Sequence, residues 1–231
     1  MSLTGKYNLS NSGFGLVAGV RQLTIKRSTL NINPAQGDLV TTPDSGIGYV
    51  AGVSYEMPEI ALKVLLTQAP GIDIVVPTTV VGSGTVSQPS FTTLEFETGI
   101  ANNTLMFGSI HQGEHASAQV KLNGIGAISS FTDGEKYNIG VGRKFSEKLS
   151  GSFSYTTEEG SSATGTSLLS PTNGTDTYSI GVNYVTESVD VAFGYAMSSF
   201  GDKAVTTAYG TGNFTNNDAT TTGLRIKFKL P

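Results

Sequence analysis

Hydrophobic and polar residues alternate along most of this chain with a period of two, the signature of half-exposed β-strands rather than helices. Between Gly46 and Glu56, Ile47, Tyr49, Ala51, Val53 and Tyr55 share one face. Gly46, Gly48, Gly52 and Ser54 share the other, with Val50 the exception. Ile60, Leu62, Val64 and Leu66 then oppose Glu59, Lys63 and Thr67. Met57-Pro58 between the two runs reads as a tight turn, because proline cannot donate a ladder hydrogen bond. The same alternation places Tyr137, Ile139, Val141 and Phe145 against Asn138, Gly140, Gly142 and Lys144. It recurs at Leu149–Tyr155, Tyr178–Tyr184 and Val189–Met197, and last at Leu224, Ile226, Phe228 and Leu230.

These runs are about 9–11 residues long, the length that crosses a bilayer as a tilted strand, against roughly 5–6 for a strand in a soluble sheet. Their connections alternate. Short turns fall near Asn11-Ser12, Met57-Pro58, Asn102-Asn103, Ser146-Glu147 and Glu187-Ser188. Long polar segments fall near 31–45, 69–89, 111–134, 158–175 and 199–219. Short periplasmic turns and long extracellular loops do this in outer-membrane barrels. The pattern predicts an all-β, antiparallel, up-and-down transmembrane β-barrel with about 11–12 strands, as a single domain over residues 1–231.

Composition agrees. Charged residues are 14% of the chain, well below the roughly 25% of soluble domains. The 29 glycines and a mean hydropathy near zero suit strands with lipid on one side and a wet lumen on the other. A formal charge of −4 argues against nucleic-acid binding. Cysteine is absent, which excludes disulfides and Cys-ligated metals. Residues Met1–Ser10 lack the basic start and apolar core of a signal peptide. No apolar run approaches the ~18 residues of a transmembrane helix.

Several segments, in order, resemble the FadL family of outer-membrane transporters for long-chain fatty acids and other hydrophobic compounds. They are FGLVAGVRQLTIKRS from Phe14, GYVAGVSYEMPEIALKVLLT over Gly48–Thr67, and TLEFETGIANNTLMFGSI over Thr93–Ile110. YNIGVGRKFSEKLSGSFSY over Tyr137–Tyr155 and SPTNGTDTYSIGVNYVTESVDVAFGY over Ser170–Tyr195 continue the series. The resemblance implies a fourteen-stranded barrel plugged by an N-terminal hatch. It also implies passive uptake of a hydrophobic ligand, released sideways through the wall. The chain departs from the family in having no counterpart of the hatch and of roughly the first three strands. It ends on Phe228-Lys229-Leu230-Pro231 rather than on an aromatic residue, and it has no Trp. On that reading it is an incomplete barrel in the bacterial outer membrane, a monomer in contact with lipid.

Candidate chemistry is sparse. Lys63, Arg225 and Lys227 fall on the lumen face and could pair with a ligand carboxylate. The plainer reading is that they balance Glu95, Glu97 and Asp190. Arg143 falls on the apolar face beside a short turn and reads as snorkelling to headgroups. His111-x-x-Glu114-His115 matches a zinc-peptidase spacing, but that motif needs a helix, and Gly113 and the flanking strands speak for a polar rim or loop. Gly46-x-Gly48-x-x-x-Gly52 opens no helix, so its glycines read as room inside or strand bending rather than a phosphate loop. Asn173-Gly174 reads as a turn. Ile72, Ile74, Val75, Val76, Val80 and Val81 make 69–89 unusually apolar for a loop. They either extend the adjacent strands or form a greasy capture surface. No catalytic set, metal site or cofactor is expected.

The alternatives are a non-transport surface protein, structural or adhesive, and a general diffusion porin. A continuous apolar belt with a greasy lumen path would favour the transporter, and the barrel reading itself carries three expectations. The strands should pair in sequence order. Tyr49, Val53, Leu62, Val64, Val182, Phe193, Ile226 and Phe228 should form one outward belt. Leu3–Leu9 and Thr220–Leu230, running the same way, should not pair.

Overall fold

The computed structural model describes all residues except 11, 34–36, 80–81, 163, 168, 170, 208–209 and 229–231. Asn11, Val80, Val81, Lys229 and Leu230, on which parts of the sequence reading fall, therefore lie outside the described residues. The strands are β1 (Ser2–Asn8), β2 (Phe14–Ile25), β3 (Thr29–Asn33), β4 (Gly37–Val40), β5 (Asp44–Met57), β6 (Leu62–Ala69), β7 (Ile72–Thr78), β8 (Gly82–Gln88), β9 (Phe91–Ala101), β10 (Thr104–Gly113), β11 (Lys121–Leu122), β12 (Gly126–Ala127), β13 (Gly134–Lys144), β14 (Leu149–Glu158), β15 (Thr164–Gly165), β16 (Thr175–Val185), β17 (Val189–Phe200), β18 (Lys203–Thr207), β19 (Gly210–Phe214) and β20 (Asn217–Phe228).

One 11-stranded antiparallel sheet forms the wall, in the order β1-β2-β5-β6-β9-β10-β13-β14-β16-β17-β20. Each wall strand pairs with the next wall strand in the chain, as an up-and-down design requires. The predicted alternation of connections holds. At the short ends, residues suited to a left-handed backbone make the reversals: Gly13 (φ 72°) before β2 and Asn103 (φ 58°) before β10. Pro58 opens a 3-10 turn over Pro58–Ile60 between β5 and β6. The remaining strands all lie in the long connections.

Register separates two faces. On the outer face Val53 pairs with Leu16 and Leu66, Tyr49 with Val20, and Phe193 with Val182 and Leu224. These side chains are exposed: Tyr49 is 59%, Val182 45% and Phe228 70% accessible. Leu62 and Val64 belong to the same face but are half-buried, Val64 lying between Tyr55 and Phe96 of the adjoining strands. The inner face carries Lys63, Glu95, Glu97, Ser109, Asn138, Ser152 and Gly181. An apolar surface turned outward around a polar, glycine-rich one is the reverse of a soluble sandwich.

The fully buried aliphatic residues confirm this inversion. Leu39, Ile72, Ile74, Val76, Leu122 and Val205 are buried and sit in long connections, whereas Val17 of β2 is the one buried aliphatic side chain of the wall among the described residues. β7 and β8 form a hairpin, and β8 pairs with β11 of the following connection. Thr41 bridges to Thr78. Ser167 Oγ donates to the Ile128 carbonyl at 3.0 Å. β15 pairs in parallel with β18, a two-residue exception to the antiparallel rule. The long connections are thus joined into a crown at one end of the sheet.

The hairpin corrects one expectation. Residues 72–78 neither extend β6 nor stand away as a free capture surface; β7 folds back onto the inner face of β2 and β5. The glycines explain how. A Cβ at Gly46 would lie 2.5 Å from Ile72 Cγ2, and one at Gly48 only 2.6 Å from Ile72 Cδ1. Room inside, one of the two readings of that glycine spacing, is what these two positions supply.

β1 and β20 are the edges of the sheet. Every residue of both is exposed, and among the described residues no ladder joins them. Between Leu3–Leu9 and Thr220–Phe228, the described part of the two segments expected not to pair, no ladder is present.

Candidate functional site

The three cations picked out by alternation do reach the inner face, but the structure gives them different surroundings. Lys63 is consumed. Its Nζ donates to Glu97 Oε1 at 2.5 Å across the β6–β9 pair, and Lys6 pairs with Glu56 nearby. Lys63 thus stands in a charge pair with one of the three acids, Glu95, Glu97 and Asp190, that alternation set on its face. Lys227 stands opposite Asp190 in the β17–β20 register. With its amide turned to donate, Asn183 holds the Asp190 carboxylate at 2.7 Å.

Arg225 is different. It faces Ala192 across the same pair and lines a cavity of about 740 Å³ at the short-turn end of the sheet. Leu105, Ala101 and Ala192 give the cavity apolar wall, while Gly142, Ser152 and Gly181 form an open floor. Lys144 of β13 is a second cation along it, and Arg143, which the register sets on the outer face, also reaches the lining. Among the described residues no carboxylate lines the cavity, although acids outnumber bases in the chain, 18 to 14. An anionic head would meet three cations here without competing for them, and an attached apolar chain would find wall to lie along. Alternation had set Lys144 on the face of Gly140 and Gly142. Nothing in sequence marked it as sharing a cavity with a residue of β20, strands away.

A smaller cavity of about 460 Å³ lies further along the inner face, lined by Lys63, Leu65, Glu95, Glu97, Phe107 and Asn138 among others. The Phe107 ring of this cavity lies over Gly140, where a Cβ would come within 2.4 Å of the ring. Arg21 is a further inner-face cation that alternation did not single out.

His111 lies in strand β10, not on a helix, and bonds Thr93 Oγ1 through Nδ1 at 2.8 Å. Phe91 stacks on His111 at 4.8 Å and meets His115 edge-on at 5.8 Å. The two imidazoles are therefore occupied in packing the base of the 114–133 connection. Among the described residues no group of three or more His, Cys, Asp or Glu side chains is placed to hold a metal. Arg143 shares the outer face with Thr104 and Gly151, as expected.

At the level of sequence no family model and no curated protein matches the chain. Solved structures do match its shape. A Pseudomonas aeruginosa FadL homologue superposes with a TM-score of 0.68 at 12% identity, over 97% of this chain and 65% of that one. The fold is that of the FadL-type channels. Within that fold, the CymD monoaromatic hydrocarbon channel matches with a TM-score of 0.58 at 12% identity, covering 99% of this chain and 72% of its own. The Pseudomonas putida toluene transporter TodX matches with a TM-score of 0.54 at 11% identity, over 88% and 64%. The chain thus spans about two thirds of the length of these FadL-type structures.

Proposed function

We propose that this chain forms wall of a bacterial outer-membrane conduit for the passive uptake of hydrophobic compounds, with long-chain fatty acids as its ligands. The outer face supports the membrane setting. Exposed Tyr, Phe, Val and Ile side chains along the wall strands would be costly in water and suit lipid. The fold supports the conduit, since the neighbouring structures include a monoaromatic hydrocarbon channel and a toluene transporter. On this reading the short-turn end faces the periplasm and the crown faces outward.

The observation that carries the choice of ligand is the cavity with three cations, Arg225, Lys144 and Arg143, and no carboxylate among the described residues that line it. A neutral hydrocarbon would leave Arg225 and Lys144 without a role; a fatty-acid carboxylate pairs with them. Of the residues expected to meet the ligand, Arg225 is retained, Lys144 is added, and Lys63 and Lys227 become part of the internal charge balance.

The test compares uptake of a long-chain fatty acid and of its methyl ester by cells producing the whole protein. Replacing Arg225 and Lys144 by Gln removes hydrogen bonds to a charged group, worth about 1.5–3 kcal/mol. Acid uptake at limiting concentration should fall roughly 10- to 100-fold, with ester uptake unchanged. Equal loss of both, or of neither, would refute the assignment.

A further inference from the structure

Arg21 lies on the inner face of β2, opposite Gly48, and β7 passes over it. One terminal nitrogen donates to the Pro70 carbonyl at the start of the hairpin. Its Nε is closed off from solvent, and among the described residues it has no hydrogen-bond partner and no carboxylate pairs with the guanidinium. Around it the hairpin is aliphatic. Ile72, Ile74 and Val76 are 5%, 2% and 1% accessible and pack with Leu23, Ile25 and Val86. The same closure therefore buries apolar surface, which favours it, and an under-partnered cation, which opposes it.

We propose that the seat of β7 on β2 and β5 is itself a ligand site, and that the β7–β8 hairpin is the lid that fills it at rest. The ligand is an aliphatic carboxylate. Its chain takes the place of Ile72, Ile74 and Val76 along Leu23, Ile25 and the trough above Gly46 and Gly48. Its head pairs with Arg21, supplying the acceptor that Nε lacks. Ligand and lid compete for one surface, so binding shifts the hairpin toward the lifted state by the difference in affinity. This rests on the conduit reading only in that the ligand must reach the inner face.

The chain has no cysteine, so a redox lock can be introduced cleanly. Ile72→Ala removes the Cγ2 that a Cβ at position 46 would strike at 2.5 Å, and the sulfur of Ile74→Cys then takes the place of Ile74 Cγ1, which is 3.0 Å from where Gly46→Cys places its Cβ. All three go into the whole protein in lipid nanodiscs, in an Arg225→Gln, Lys144→Gln background that silences the short-turn cavity. The reduced protein should bind dodecanoate; oxidation should weaken binding at least tenfold, and dithiothreitol should restore it. Without the lock, Arg21→Gln should weaken dodecanoate at least tenfold and leave 1-dodecanol unaffected. Equal binding by oxidised and reduced protein, no binding in the reduced form, or indifference of Arg21→Gln to the head group each overturns the proposal. Parallel uptake measurements separate the two ideas. Uptake with binding that ignores the lock leaves the conduit standing and removes the lid, while lock-dependent binding without uptake does the reverse.

Discussion

At Gly48 a hydrogen atom stands where any side chain would strike Ile72, so the position measures how tightly the hairpin is seated. Gly48→Val should cost about 1–3 kcal/mol of overpacking, taken up by lifting β7 and not by unfolding the wall. Limited proteolysis should then cut within 70–90 at least several-fold faster, while the heat stability of the sheet holds. If the wall melts and the hairpin stays protected, the seat is not where the strain goes. The charged residues show how far single positions could be read. Alternation put Lys63, Arg225 and Lys227 on the inner face correctly, because face depends only on parity along a strand. It could not tell that Lys63 meets Glu97 while Arg225 opens on a cavity, because partners are chosen across strands by register.

Whole strands were more legible than their surroundings. The period-two pattern located the wall strands because each has lipid on one side and a polar interior on the other. β7 kept the same alternation, Ile72, Ile74 and Val76 against Asp73, Val75 and Pro77, yet packs inward as a second layer. Period alone does not say what an apolar face is covered by. The belt itself gives a sharp expectation. Val182→Arg, on the outer face, should destabilise the folded protein by roughly 2–4 kcal/mol if it sits near the bilayer midplane. Ser179→Arg, on the inner face of the same strand, should cost well under half of that. Reversible folding in lipid vesicles measures both, and similar costs at the two sites would mean that the faces have been exchanged.

For the molecule as a whole, the edges dominate. The backbone groups along the free sides of β1 and β20 have no ladder partner among the described residues, and in hydrocarbon each unsatisfied group costs several kcal/mol. Amide hydrogen exchange on the 231-residue chain in lipid should show β1 and β20 exchanging orders of magnitude faster than β9 and β10, which are paired on both sides. Comparable protection at the edges would show that they find partners in the membrane. The strand count, their order and the failure of first and last strands to pair could be anticipated because an up-and-down sheet is built from local hairpins. The crown could not, since its links join segments that the sequence keeps far apart.

Those distant links also have a consequence in time. Every wall ladder joins strands adjacent along the wall's path and closes across no more than one turn or one long connection, so the wall can zip up strand by strand. The bridge from Thr41 to Thr78, the β8–β11 pair, and the β15–β18 pair reach across whole hairpins. Their closure entropy is recovered only after the wall has brought their ends together. The crown is therefore the last part of the molecule to form, and a newly assembled wall passes through a stage in which its mouth stands open.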